Sequence, residues 1–178
     1  MYLVISTSLN SDSRSRILAH AAKSILESQS VETRFLDLAE IKLPLCDGAT
    51  CYAHENSVTV TQAIESASGI LLASPIYNYD VSAAAKNMIE ITGKAWTEKV
   101  VGFLCAAGGQ GSLMAPMGFA NSLMLDFRSV ILPRFVYATG EVFAGNQINE
   151  PEFEQRIQQL VDQLIKVTQA LHVPKVES

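Results

Sequence analysis

Apolar runs and helical stripes alternate along this chain, and that alternation predicts its elements. Tyr2 to Ser6 is a short apolar strand. Ser13 to Ser28 places Leu18, Ala21, Ala22 and Ile25 at the spacing of one helix face. Glu32 to Leu38 sets Phe35 and Leu38 among polar residues, as expected of a shorter strand nearer an edge. Ala39 to Asn56 contains Pro44 and Gly48 and has no period, which predicts a long loop. Ser57 to Ala67 is a short helix. Gly69 to Ser74 and Lys99 to Ala106 are continuous apolar runs, the signature of strands covered on both faces. Between them lies a helix over Ser82 to Thr92. A further helix starts between Ser112 and Met117 and ends near Phe127, and Val130 to Thr139 supplies the last strand. The final helix opens at a capping box, Asn149 with Glu152 three residues on and Pro151 in the first turn. Its buried face is Phe153, Ile157, Leu160, Val161, Leu164 and Leu171.

Strands alternating with helices in this way predict an α/β fold, a doubly wound five-stranded parallel sheet with helices on both faces. No repeat, low-complexity tract or linker interrupts the 178 residues, so one domain over 1–178 is expected. Composition agrees. The chain is 48% hydrophobic and 17% charged, enough for a sheet buried on both sides and too apolar for a disordered chain. Its net charge of −5 and the lack of a Lys/Arg block argue against nucleic-acid or anionic-membrane partners. The opening run Met1 to Ile5 is too short for a membrane span or a signal segment, so a cytoplasmic protein is expected. Cys46, Cys51 and Cys105 form no disulfide framework and fit a reducing compartment. Cys46 and Cys51 lack partners at zinc spacing, with only His54 nearby, and read as reduced thiols adjacent by chance. Over the fourth helix, Leu113, Met114, Met117, Phe119, Leu123, Met124, Leu125 and Phe127 are apolar on more than one face. A helix packed only on its own sheet needs one stripe, and the excess predicts a homodimer or homotetramer.

In a doubly wound sheet ligands sit beyond the carboxyl ends of the strands, which makes three loops informative. The first, Ser6 to Ser15, offers hydroxyls, helix N-terminal N–H groups and the Arg14 guanidinium, a set that can surround a phosphate. It holds no glycine, which argues against a dinucleotide turn or a Walker loop. The second, Ser74-Pro75-Ile76-Tyr77-Asn78-Tyr79-Asp80, combines flat aromatic surface with an amide, which suits a planar heteroaromatic ring. The third, Ala106-Ala107-Gly108-Gly109-Gln110-Gly111-Ser112, has three glycines that let backbone approach a ligand closely. No Ser-His-Asp arrangement is present. His20 and His172 read as structural or exposed, and no catalytic side chain is assigned.

These loops resemble those of the NADPH-dependent FMN reductases, a family within the flavodoxin-like superfamily that includes flavin, quinone, azo-dye and chromate reductases. The family's first loop runs Gly-Ser-Leu-Arg, two residues, Ser, one residue, Asn. Here Ser8 and Ser13 match, Asn10 replaces the arginine and Ser15 the asparagine, with Arg14 as a neighbouring cation. The family's second loop, Pro-Glu-Tyr-Asn followed by Leu-Lys-Asn and an acid, is matched by Pro75-Ile76-Tyr77-Asn78, then Ala85-Lys86-Asn87 and Glu90. Gly108, Gly109 and Gly111 resemble the family's third loop. The resemblance spans roughly Met1 to Leu171. It implies a flavodoxin-like strand order of 2-1-3-4-5 and bound FMN that takes hydride from NADPH or NADH and passes electrons to a small acceptor. It also implies that Ser8, Asn10, Ser13, Arg14 and Ser15 surround the phosphate. Pro75, Ile76, Tyr77, Asn78 and Tyr79 would then meet the flavin ring, and Gly108, Gly109, Gln110 and Gly111 the ring or ribityl chain. The rival reading is a flavodoxin-type electron carrier, a class that is usually far more acidic.

Overall fold

The computed structural model describes residues 1–171. The chain runs β1 (Tyr2–Ser6), α1 (Arg14–Ser28), β2 (Thr33–Asp37), α2 (Glu55–Ser66), β3 (Gly69–Tyr77), β4 (Asp80–Val81) and α3 (Ala83–Thr92). It continues through β5 (Val100–Ala106), α4 (Pro116–Phe127), β6 (Val130–Ile131), β7 (Val136–Ala138), β8 (Phe143–Ala144), β9 (Gln147–Ile148) and α5 (Pro151–Leu171). The main sheet lies in the order β2-β1-β3-β5, all parallel, and β6 and β7 pair in turn along the far edge of β5. Setting the antiparallel β4 aside and counting β6 and β7 as one interrupted strand gives the expected 2-1-3-4-5 order.

The period of two along each strand divides the core. Leu3, Ile5, Ile70, Leu72, Val101 and Phe103 face one apolar layer, which α2, α3 and α4 cover with Val60, Ile64, Met88, Phe119 and Leu123. Tyr2, Val4, Leu71, Ala73, Val100 and Leu104 face the other, covered by Leu18, Ala22 and Leu26 of α1 and Ile157, Leu160 and Leu164 of α5. Gly102 sets how closely α5 packs. A Cβ there would stand 2.9 Å from Leu160 Cδ1 and 3.0 Å from Leu71 Cδ2, so a side chain would have to push these leucine tips aside.

Four boundaries differ from the sequence pattern. The last strand breaks into two because Pro133 has no N–H to give the ladder. The long loop after β2 contains a 3-10 turn, Thr50–Ala53, and α2 begins at Glu55, two residues early, with His54 Nδ1 capping Asn56 N at 3.2 Å. β3 does not end at Ser74. It continues to Tyr77 and turns back as a hairpin with β4, pairing Ile76 with Val81 and Tyr77 with Asp80. At the other end of the chain α5 starts at Pro151, its first turn closed by the Glu150 carbonyl, which accepts from Glu154 N at 3.4 Å. The Asn149 N–H donates back to Val142 O at 2.8 Å. Leu171 is not on the buried face of α5; it is 56% exposed. His172 lies outside the described residues.

Candidate functional site

Ser6 ends β1, and the loop behind it is built from buried hydroxyls. Thr7 N and Oγ1 both donate to Ala73 O, at 2.9 and 3.1 Å, tying the loop to β3. Ser82, the N-cap of α3, places its Oγ 3.0 Å from Thr7 Oγ1 and accepts from Ala85 N at 3.2 Å, while its N–H donates to Ser74 Oγ at 3.1 Å. Thr7, Ser74 and Ser82 thus lock three strand and helix ends together. None of them stood out in the sequence, because a lone Ser or Thr carries no period.

Ser13 caps α1, accepting from Arg16 N at 3.3 Å, and its Oγ lies 2.8 Å from that of Ser15. Ser8, Ser13 and Ser15 are all buried. The first turn of α1 holds no carboxylate, so its N–H groups and positive dipole end are left for an anion. Arg16, overlooked in the sequence, organises the loop from outside. Its Nε and Nη2 grip the Asp37 carboxylate at 2.6 and 3.1 Å, and Nη1 donates to the carbonyls of Asn10 and Ser11 at 2.7 and 2.8 Å. Nη2 also reaches Ser8 O at 3.3 Å. Arg14, two residues earlier on the helix, points elsewhere. Its guanidinium stands 5.8 Å over the Phe143 ring, beside Gly140.

Ser8, Asn10, Ser13, Arg14 and Ser15 share one open cavity of about 340 Å³ with Pro75, Ile76, Tyr77 and Gly108. Asp12 of the first loop and Ala106 and Ala107 of the third, given no role by the sequence, complete its wall. That volume falls within the range usual for small-molecule sites. Asn78 and Tyr79 do not line it. They form the tip of the β3–β4 hairpin with φ of +50° and +66°, a left-handed pair that suits a tight two-residue turn. Tyr77 and Tyr79 are both more than half exposed, at 56% and 57%.

Gly109, Gln110 and Gly111 also stand off the cavity wall, in an exposed turn after β5. A Cβ on Gly108, Gly109 or Gly111 would meet nothing within 4 Å, and none of the three has positive φ. The protein's own packing therefore does not require glycine there, whereas a ligand drawn against that backbone would. Tyr137 Oη donates to Gly109 O at 2.7 Å and fixes the turn, and burial pushes the Tyr137 phenol pKa up. The Lys-Asn pair of α3 is occupied within the fold. Lys86 meets Glu90 at 3.5 Å, and Asn87 bonds Cys46 N and Pro44 O, each at 2.8 Å. His20 stacks on Phe35 with centroids 4.6 Å apart, a structural role.

The donor set fits FMN: buried hydroxyls clustered at a helix start that carries no carboxylate, an apolar wall from Pro75 to Tyr77, and open backbone at Gly108. Asp12 on the cavity rim is the one group of unfavourable sign for a phosphate. No group of three or more His, Cys, Asp or Glu among the described residues could hold a metal ion. No helix among them is long and apolar enough to cross a membrane.

The chain and its fold are similar to known oxidoreductases. An NAD(P)H-dependent FAD/FMN reductase of Geobacillus thermodenitrificans is 25% identical over 138 residues, covering 76% of this chain and 75% of the relative. The fold is similar to FerB, a flavoenzyme NAD(P)H:(acceptor) oxidoreductase from Paracoccus denitrificans, with a TM-score of 0.78, 20% identity and coverage of 95% and 97%. An oxidoreductase from Corynebacterium diphtheriae aligns with a TM-score of 0.77 and 21% identity over 95% of this chain and 96% of its own. The sheet is flavodoxin-like. A model of the NADPH-dependent FMN reductase family matches residues 2–144, and the chain belongs to that family, as an oxidoreductase that uses FMN and a nicotinamide nucleotide.

Proposed function

We propose that this protein takes hydride from NADPH or NADH onto FMN and passes electrons to a small planar acceptor, a quinone or a free flavin before an azo compound or a metal oxyanion. The observation that carries this reading is the pair of exposed tyrosines on the hairpin beside the cavity mouth. They offer flat surface to a second ring and no fixed charge to an oxyanion. FMN, when bound, supplies the hydride acceptor and the electron relay. The chain's own residues bind and orient. Ser8, Ser13 and Ser15 with the α1 N-terminus take the phosphate, and Arg14 adds charge from the rim. Pro75 to Tyr77 wall one side of the ring, and the Gly108 to Gly111 backbone closes on it. No side chain is assigned a proton transfer.

The flavodoxin-type carrier is the second reading, and the net charge of only −5 speaks against it. Met117, Met124 and Leu125 of α4 lie exposed, as do Leu113 and Met114 just before it, while Phe119, Ala120 and Leu123 of α4 are buried. That second apolar face, next to the β4 hairpin that packs on α4, supports a homodimer or homotetramer. A single domain in the cytoplasm, with its three cysteines reduced, completes the reading. Anaerobic NADPH or NADH should bleach the yellow FMN complex without a partner protein, and quinone should restore the colour fastest across an acceptor panel. Bleaching that needs a second protein would favour the carrier.

A further inference from the structure

The long loop after β2 holds the chain's one close pair of thiols among the described residues. Cys46 and Cys51 bring their sulfurs to 3.8 Å, with the Cys51 thiol donating to Cys46. Their burial differs: Cys46 is half-buried at the surface and Cys51 is 2% exposed. The turn between them is tightly organised. The Asp47 carboxylate accepts from Ala49 N at 2.9 Å, Cys51 N at 3.0 Å and Thr50 Oγ1 at 2.5 Å, and Gly48 adopts a left-handed φ of +71°. Asn87 of α3 anchors the near end through Cys46 N and Pro44 O. The hydrogen bond to Cys46, the charge that Cys46 carries as a thiolate and burial push the Tyr52 phenol pKa up. Bond formation requires the sulfurs to close by about 2 Å, to the S–S length of a disulfide.

We propose that Cys46 and Cys51 form a redox-active dithiol that reacts with hydroperoxides and closes to an intramolecular disulfide. The Cys46 thiolate, its proton lost to solvent, attacks the terminal oxygen of the hydroperoxide. An S–O bond forms, the O–O bond breaks, and the alkoxide leaves and takes a proton to become an alcohol. Cys51 sulfur then attacks the Cys46 sulfenic acid. The S–S bond forms, the S–O bond breaks, and hydroxide departs as water with the Cys51 proton. Two thiols are oxidised, and one hydroperoxide is reduced to alcohol and water. The outer cysteine is placed to meet the oxidant and the inner one to resolve it. Cys105 takes no part, since it is buried in the sheet with its thiol pushed up to about 12.

The test is to treat the purified FMN-loaded protein with one equivalent of tert-butyl hydroperoxide, unfold it in maleimide, and weigh its tryptic peptides. The proposal expects the peptide from Leu43 to Lys86, which has no internal cleavage site, to lose two hydrogens and take no maleimide. Dithiothreitol should restore both thiols, and Cys105 should be alkylated throughout. In Cys51→Ser the reaction should stop at a Cys46 sulfenic acid that dimedone traps; Cys46→Ser should leave Cys51 as a free thiol. Circular dichroism before treatment checks that each variant is folded. Cys46 passing to a sulfinate in the wild type while Cys51 stays alkylatable would overturn the proposal. So would a disulfide that joins two chains, or retention of both thiols.

Discussion

The two ends of the candidate site are built differently. The loop after β1 is finished before any ligand arrives: Ser8, Ser13 and Ser15 are buried, Thr7 is bonded to β3 and α3, and Arg16 holds the loop carbonyls from behind. The β3–β4 hairpin and the Gly108 to Gly111 turn are open, with exposed rings and a backbone that touches nothing over the glycines. A phosphate needs donors fixed in advance, because each must give up water for one geometry. A ring that must admit first a nicotinamide nucleotide and then an acceptor needs an accessible face. In the proposed function, cofactor affinity is set at the β1 end and acceptor choice at the hairpin end.

Substitutions at the two ends should therefore fail in different ways. The largest effect is expected from Arg16→Ala. It strands the nearly buried Asp37 and frees the loop carbonyls, so urea unfolding should show a loss of about 3 kcal/mol together with loss of FMN retention. Ser82→Ala removes the hydroxyl that joins Thr7 to the start of α3, and should cost about 1–2 kcal/mol by the same measurement. Tyr79→Ala should leave stability within about 0.5 kcal/mol and FMN affinity unchanged while raising the KM for quinone in steady-state assays. A Tyr79→Ala protein that loses FMN instead would erase the distinction between the ends. The smallest change is expected from Asp12→Asn, which lifts the unfavourable charge at the rim and should tighten FMN about twofold to threefold in fluorescence titration at low salt.

Much of this was legible in the chain itself. β1, β3 and β5 announce themselves as apolar runs, and the helix stripes of α1 and α5 follow from spacing alone. The β4 hairpin was hidden because its turn places a tyrosine, Tyr79, at a left-handed position usually taken by glycine or asparagine. The start of α2 was hidden because histidine is not a usual cap. Of the cavity wall, Ser8, Ser13, Ser15 and Gly108 could be read from their place after strands, whereas Gly109 and Gly111 stand off it. The different roles of Arg14 and Arg16 could not be read. Both are cations in one loop, and only the helical phase, about 200° apart over two residues, sends one to the cavity rim and the other to Asp37. An acid at the carboxyl end of β2 was the signal that could have pointed to Arg16.

The central claim is that the loop after β1 binds the FMN phosphate, and a direct test compares FMN with riboflavin, which lacks that phosphate. Calorimetric titration of the apoprotein should give FMN a Kd at least about a hundredfold below that of riboflavin, and Arg14→Ala should cut that ratio about tenfold with riboflavin affinity unchanged. Equal affinities for FMN and riboflavin in the wild-type protein would contradict the account.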